Sequence, residues 1–490
     1  ERAQYYKNIF DPSTQFMRGR FRNTWFAPFD PYEVNFNYTE ANSWQYSFYV
    51  PQDISGFTTL LGGKQQLENQ LDKLFTAEDK TSGSHQVDIT GLIGQYAHGN
   101  EPSHHMAYLY NFVNKPFKTQ EKTRQILTEL YTNSPDGISG NEDCGQMSAW
   151  YIFSSLGFYP VTPGSNQYII GSPLFDKATI NLENGKSFTV EAIDNSSENK
   201  YIKSAILNGE NYEFSFINHK DIINGGSLVF EMTDKKTNWG TADKNIPKTS
   251  IDVHLIVAAP FIAKGKIAFK GSTEITLGNA DKEATIFYTL GDEFQLYNEP
   301  FKISEKGILK VYAEKEGLKS KTITTDFYKI NPDIKINLKS KYANQYNAGG
   351  DDALIDGIIG AEDFRTGTWQ GYFDTDLVAL VDLGKVDNKE GKITINFLED
   401  QRSWIFLPIE VGCLVSSDGK SFRSLGKYNN LNTKEKEDVY VQNYDFKYPP
   451  RFKVRYIKVI AKKLGILPKW HLGYKHDGRS WLFVDEIQIK

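Results

Sequence analysis

The spacing of apolar side chains changes character along the chain. In "QQLENQLDKLFTAE" the leucines at 67, 71 and 74 recur at helical spacing, which predicts an amphipathic helix. "TQEKTRQILTELYTNS" sets Ile126, Leu127 and Leu130 on one side, and "SHHMAYLYNFV" reads as a further helix. "CGQMSAWYIFSSL" is an apolar helix with Asp143 as its N-cap, stopped by Gly157 and then Pro160. Residues 1–165 therefore read as helices joined by long loops rich in Gly, Pro, Asn and aromatics, such as "RFRNTWFAPFDPYEVNFNYTE". Long ordered loops on a regular scaffold commonly carry chemistry.

From 166 to 262 the period shortens to two in "KATINL", "SFTVEAI", "KSAILNG", "SLVFEM" and "SIDVHLIVA", with Asn-Gly turns at 184–185 and 208–209. That predicts a β-domain. Residues 263–330 predict a small all-β module built on "ATIFYTL", "KGILKVYAEKEG" and "SKTITTDFYKI", and "KINPDIK" reads as a linker. The stretch 334–490 opens with "DDALIDGIIG" and closes with "SWLFVDEIQIK". Its regular strand spacing predicts a β-sandwich or jelly roll. The fold class is thus multidomain, a mostly α portion followed by β-domains.

Composition narrows the function classes. A formal net charge of −5 with Lys and Arg spread evenly argues against nucleic acid as a partner. No run of about eighteen apolar residues exists, so no membrane span is predicted. Cys144 and Cys413 fall in different predicted domains and read as small buried apolar residues rather than a disulfide. The first residues, Glu1-Arg2-Ala3-Gln4, read as mid-domain sequence, so a fragment or processed chain is expected. Aromatic residues at 14% leave two readings open, aromatic-rich cores or exposed rings that stack on sugars.

The chemistry concentrates at three predicted helix entrances. "SGNEDCGQMSAW" puts Glu142 and Asp143 after a glycine turn, "HGNEP" puts Glu101 before Pro102, and "YTEANSWQYSF" puts Thr39 and Glu40 at the head of a helix. Helices whose N-termini point the same way can gather such carboxylates in one cavity. A helix N-terminus favours an ionised carboxylate, as a general base requires, whereas an acid needs burial or a neighbouring carboxylate to keep its proton. His98, His104 and His105 offer a zinc alternative. Adjacent His104 and His105 point about 100° apart on a helix, however, and the oxygen-rich surroundings suit Ca2+ better. Trp44, one turn from Glu40, is the candidate sugar platform, and Trp150 reads as core.

At these motifs the chain resembles glycoside hydrolase family 92, the Ca2+-dependent inverting exo-α-mannosidases. "RAQYYKNIFDPSTQFMRGR", "YTEANSWQYSFYVPQDI", "HGNEPSHH" and "GNEDCGQMSAWYIFSSLGFYPVTPG" carry the likeness over about residues 1–262. The resemblance implies that 1–165 is the C-terminal part of an (α/α)6 catalytic barrel, completed by 166–262. It further implies Glu40 as general acid, Asp143 as general base, and a mannose pocket that includes Trp44, Gln45, His98, Asn100, Glu101 and Glu142. A catalytic Ca2+ held by Asn100 and Glu101 is expected. Family members begin with a β-sandwich that contributes to the active site and has no counterpart here, so a missing N-terminal domain is expected to be needed for activity.

The 263–330 module is similar to the small C-terminal domain of chitobiase-type glycosidases. Residues 334–490 are similar to the discoidin (coagulation factor 5/8 type C) family, which includes carbohydrate-binding modules. That likeness implies a structural Ca2+ with Asp356 and Glu486 as ligands, and sugar contacts from Trp369, Tyr372, Trp404 or Trp470. The implied partners are mannose-containing glycans, and the implied location is a bacterial periplasm, cell surface or the medium. The alternative is a non-catalytic glycan-binding protein acting through its C-terminal domain.

Overall fold

The computed structural model describes residues 1–430 and 434–490. The chain forms two compact units. The first holds Glu1–Gly19, Phe29–Ala258 and Ala280–Lys282, the second Arg20–Pro28, Ala259–Asn279 and Glu283–Lys490.

The first unit carries helices α1 (Ser43–Tyr46), α2 (Ile54–Leu61), α3 (Lys64–Thr76), α4 (Pro116–Glu129) and α5 (Gln146–Leu156). The leucine stripe of α3 is buried in the unit's core together with Ile126 and Leu127 of α4. At about 25 cal/mol per Å2 of apolar surface, that burial is the main reason these segments hold as helices. Gly62 and Gly157 end α2 and α5 in the left-handed conformation, as an αL cap requires. Met106–Val113 is a 3-10 helix, not the α-helix its composition predicts. All eight residues are buried, and Asn111 Nδ2 donates to the carbonyls of Ile170 and Ser215 at 2.8 Å each. Packing on every side sets this segment's conformation rather than helical propensity.

A five-stranded sheet follows in the order Lys177–Asn181, Ser187–Ile193, Gly226–Thr233, Tyr201–Leu207, Glu210–Asn211. Asn208 and Gly209, both at positive φ, form the two-residue hairpin turn between the last two. The alternating "SIDVHLIVA" forms no strand, and Val253 and Leu255 are exposed.

In the second unit, Arg20–Phe21 and Thr24–Trp25 make a hairpin turned at Arg22 and Asn23. This strap adds to the sheet of Phe261–Lys264, with Thr24 paired to Ile262. A second sheet, from Ala268–Lys270 to Ile323–Ile330, completes the small module. The last region is a sandwich of two antiparallel sheets. One runs Lys335–Leu338, Leu377–Asp387, Val454–Lys462, Glu410–Ser416, Arg423–Asn429. The other runs Gln370–Phe373, Trp481–Ile489, Gly391–Glu399, Tyr440–Tyr448. Val381, Val411 and Ile457 from the first sheet join Ile395, Phe397 and Val484 from the second in one core. Two local expectations change. Part of the expected linker "KINPDIK" belongs to the edge strand Lys335–Leu338, and "DDALIDGIIG" opens as a 3-10 turn, Asp351–Ile355, entered through Gly350 at φ 115.

Candidate active site

The "HGNEP" loop is the middle of the candidate site. A Cβ on Gly99 would stand 1.9 Å from Thr90 Oγ1 and 3.0 Å from Ser139 O, and one on Gly140 would meet Thr90 Oγ1 at 2.8 Å. Only glycine lets the "HGNEP" and "SGNED" backbones approach so closely. On its other side the loop contacts α1, whose N-terminal flank carries Glu40. The three motifs are therefore neighbours.

The helix entrances differ from expectation. The N-cap of α1 is Asn42, in a capping box with Gln45: each side chain bonds the other's backbone N–H, at 3.3 and 3.2 Å. Glu40 lies two residues earlier, exposed, at φ 60. The N-cap of α5 is Gly145, not Asp143. Glu142 does the capping: its carbonyl accepts from Met147 N–H at 3.3 Å and its carboxylate from Ser148 N–H at 3.2 Å. Asp143, exposed at φ 49, is followed by Cys144 at φ 57 and Gly145 at φ 92. Left-handed backbone at a non-glycine residue costs about 1–2 kcal/mol, and such strain gathers at functional sites. Cys144 is exposed, contrary to its reading as a buried apolar residue; Cys413 is buried as expected.

Beneath these loops lies a neutral hydrogen-bond floor. His104 Nε2–H donates to His98 O at 2.9 Å, and its Nδ1 accepts from Gln146 Nε2 at 3.1 Å. The same Gln146 nitrogen donates to Tyr159 OH at 3.2 Å. Tyr131 OH donates to Met147 O at 3.1 Å, so it accepts from His98 Nε2 at 2.6 Å, leaving His98 Nδ1 to accept from Tyr96 OH at 2.8 Å. Burial drives the His98 pKa well below its ordinary value and pushes His104 and His105 down to about 4, so all three are neutral near pH 7.

The carboxylates act electrostatically on this floor. Tyr46 is raised by burial and by Glu40 and Glu101, and Tyr159 is pushed up to about 12 by burial, with Tyr49 and Glu101 adding to it. Asp143 is close enough to His104 to oppose its downward shift. Glu40, Glu101 and Asp143 thus border one strip of polar groups.

Several expected site residues have other work. Trp44 is buried, edge-on to Phe16 at 4.7 Å and against Tyr32, so it is core and no sugar platform. Gln45 is buried, with Oε1 used in the capping box and Nε2 donating to Gln95 O at 3.3 Å. His98 has both ring nitrogens taken, which removes it from direct sugar contact. The zinc alternative fails too, because His104 and His105 spend Nε2 on the carbonyls of His98 and Phe48. Trp150 is core, stacked on Tyr131 at 6.1 Å. Asn100 is buried with no partner for its side-chain nitrogen, and Glu101 is half-buried at the first position of a 3-10 turn. Sequence reasoning passed over Gln146 and Tyr159 as site groups, although both lie inside the "GNED…GFYP" stretch.

In the sandwich, Asp356, Asp485 and Glu486 are buried. Burial pushes Asp356 and Asp485 up to about 7 and Glu486 up to about 9, with the charge of Asp485 adding to the shifts of Asp356 and Glu486. Trp369 and Tyr372 are fully buried, which excludes them as sugar platforms. Trp404 is half-buried and Trp470 exposed.

Residues 1–234 match the model of the glycosyl hydrolase family 92 catalytic domain. This part of the chain is thus similar to the catalytic domains of glycosyl hydrolases. An "Uncharacterized secreted glycosidase" of Arthroderma benhamiae is 31% identical over 211 residues, covering 42% of this chain and 25% of that protein. Among solved structures, a family GH92 alpha-mannosidase from Bacteroides thetaiotaomicron is 42% identical over 50% of this chain and 32% of its own, with TM-score 0.46. A family GH92 inverting mannosidase from the same organism is 35% identical over 50% and 35%, with TM-score 0.44. The chain spans about a quarter of the curated relative and a third of these structures. No helix among the described residues is long and apolar enough to cross a membrane.

Proposed function

We propose that this chain belongs to an exported, inverting exo-α-mannosidase that removes terminal α-mannose from glycans. The observation that carries the reading is the glycine-to-glycine packing of the "HGNEP" and "SGNED" loops beside α1, which sets Glu40, Glu101 and Asp143 along one polar strip. Glu40 donates a proton to the departing glycosidic oxygen. Asp143 takes one from a water attacking the opposite face of the ring, an arrangement that needs the two carboxyls about 6.5–9.5 Å apart. The acid must keep its proton, which takes a dry surrounding, and Glu40 is exposed in this chain. Cover from bound glycan and from a further domain, the β-sandwich expected from the resemblance, would supply it. The neutral His104–Gln146–Tyr159 floor holds the strip in place without adding charge.

Asn100 and Glu101 are the residues that would hold a catalytic Ca2+. Buried Asn100 has an amide group lacking one partner, and reversing that amide would present its oxygen instead. When bound, the ion supplies oxygen coordination to sugar hydroxyls. Asp356 and Glu486 fit a structural Ca2+ better: Glu486 Oε2 is buried with no partner, as is Oδ1 of the adjacent Asp485. Among the described residues no three His, Cys, Asp or Glu side chains form a metal-binding set, so either ion would take its other ligands from main-chain carbonyls and water. The last sandwich is read as a discoidin-type glycan-binding module, with exposed Trp470 its best-placed ring.

The test is mannose release from an aryl α-mannoside by the full-length protein, before and after chelation and Ca2+ return. Unchanged turnover in Glu40→Gln on a substrate with a poor leaving group, or in Asp143→Asn, overturns the reading.

A further inference from the structure

Glycine packing fixes the "HGNEP" and "SGNED" loops against each other, but it does not set the distance of Glu40 from them. Helix α1, which follows Glu40, has four residues, too few to hold a direction of its own. The side chain that ties it down is Gln95, fully buried and just upstream of His98. Its Oε1 accepts from Nδ2 of Asn42, the α1 N-cap, at 2.9 Å. Its Nε2 uses both hydrogens on the turn that follows α3, donating to Glu78 O at 2.6 Å and Lys80 O at 2.9 Å. The Gln95 main chain is held as well: its N–H donates to Leu74 O at 2.8 Å, and its carbonyl accepts from Gln45 Nε2 at 3.3 Å. Gly94, at φ 61, allows this approach, since a Cβ there would stand 2.4 Å from Leu74 O. Residues 94–99 are thus clamped to α3 at one end and to the "SGNED" loop at the other, and α1 is tied to the first clamp.

We propose that Gln95 is a positioning residue, which sets the separation of Glu40 from Asp143 by holding the α1 N-cap at a fixed offset from the "HGNEP" loop. The inference rests on reading Glu40 and Asp143 as acid and base. Glu40 is exposed, so its place follows from the backbone that carries it, and Asn42 is the nearest anchored point on that backbone. An inverting pair stands about 6.5–9.5 Å apart to admit a water, and a shift of about 1 Å in either partner is costly. A buried amide with its donors and its acceptor all engaged holds such a spacing firmly, because displacement strands a polar group away from water. A misplaced acid does most harm where the departing oxygen most needs a proton. A sugar leaving group depends on the acid, whereas a nitrophenolate leaves with little help. Loss of the Gln95 tether therefore weighs unequally on the two kinds of substrate, while a general loosening of the fold lowers both alike.

The experiment measures kcat and KM of the full-length protein on an α-linked mannobiose and on a nitrophenyl α-mannoside. Gln95→Met keeps the length of the side chain and removes its hydrogen bonds. It is expected to lower kcat about thirtyfold on the mannobiose and no more than about threefold on the nitrophenyl mannoside, with KM within about twofold on both. Asn42→Ser keeps a capping oxygen for α1 but is too short to reach Gln95, and should show the same imbalance in smaller measure. Equal losses on the two substrates in Gln95→Met, or no loss, make Gln95 merely structural and overturn the proposal, and Asn42→Ser decides in the same way should Gln95→Met misfold. The acid assignment survives that outcome as long as Glu40→Gln shows the imbalance. If Glu40→Gln shows none, the acid assignment and the positioning role fall together.

Discussion

Each unit holds one cluster of buried ionisable groups, and the two clusters are of opposite kind. The first keeps Glu40 and Asp143 at its surface and buries His98, His104 and His105. The second buries Asp356, Asp485 and Glu486. Burial selects the neutral form in both, downward for imidazole and upward for carboxyl, but the local outcome differs. A neutral imidazole can donate at one nitrogen and accept at the other, so His98 and His104 fit fully into a network of tyrosines, a glutamine and a carbonyl. The buried carboxyls lack donors for two of their oxygens and invite a cation instead.

The sharpest division is in turnover. In the full-length protein, Glu40→Gln and Asp143→Asn should each lower mannoside hydrolysis about a thousandfold, while Glu486→Gln leaves it nearly unchanged, as initial rates will show. Next comes packing. Trp44→Ala should cost about 3–5 kcal/mol in denaturant unfolding because its ring is core, whereas Trp470→Ala, on an exposed ring, should cost less than about 0.5 kcal/mol.

The pH responses should run in opposite directions. Between about 4 and 6.5 the unfolded chain binds protons at histidines that the native first unit leaves neutral, so that unit loses stability as pH falls through this window. The native second unit, free of cation, holds carboxyl protons that the unfolded chain has released, so it loses stability as pH rises from about 4 toward 7 and, for Glu486, 9. Domain-resolved hydrogen exchange at pH 5 and pH 8 checks both, and equal trends in the two units would erase the distinction. Smallest is the capping box: Gln45→Ala should cost about 1 kcal/mol through the cap, with a modest change in melting temperature.

Much of this was legible from residue order. The α3 leucine stripe, the sandwich and the strands of both β regions other than "SIDVHLIVA" followed from apolar periods of 3.6 and two. The four motifs pointed to a site because glycine, asparagine and carboxylates crowd there without a packing pattern. What stayed hidden depends on tertiary neighbours. Trp44 and Trp470 look alike in sequence, and only folding buries one of them. Asn42 caps the helix expected to begin at Thr39 and Glu40, and Gly145 stands where Asp143 was expected as N-cap, because caps depend on where the helix starts, and boundaries are the least readable part of a pattern. His98 looked like a ligand until two tyrosines claimed its nitrogens. Arg22 gave no signal, since the carbonyls it bonds, those of Ala348 and Gly367, lie more than 320 positions away.

The strap has a practical consequence for dissecting the molecule. Residues 20–28 sit early in the sequence but supply a strand to the sheet of Phe261–Lys264. Severing the gene near codon 259 to obtain the C-terminal modules alone would strip away Thr24–Trp25 and bare the edge of Phe261–Lys264, an invitation to sticky edge-to-edge association. Supplying the nine-residue peptide in trans, or grafting it onto the new N-terminus, should restore solubility.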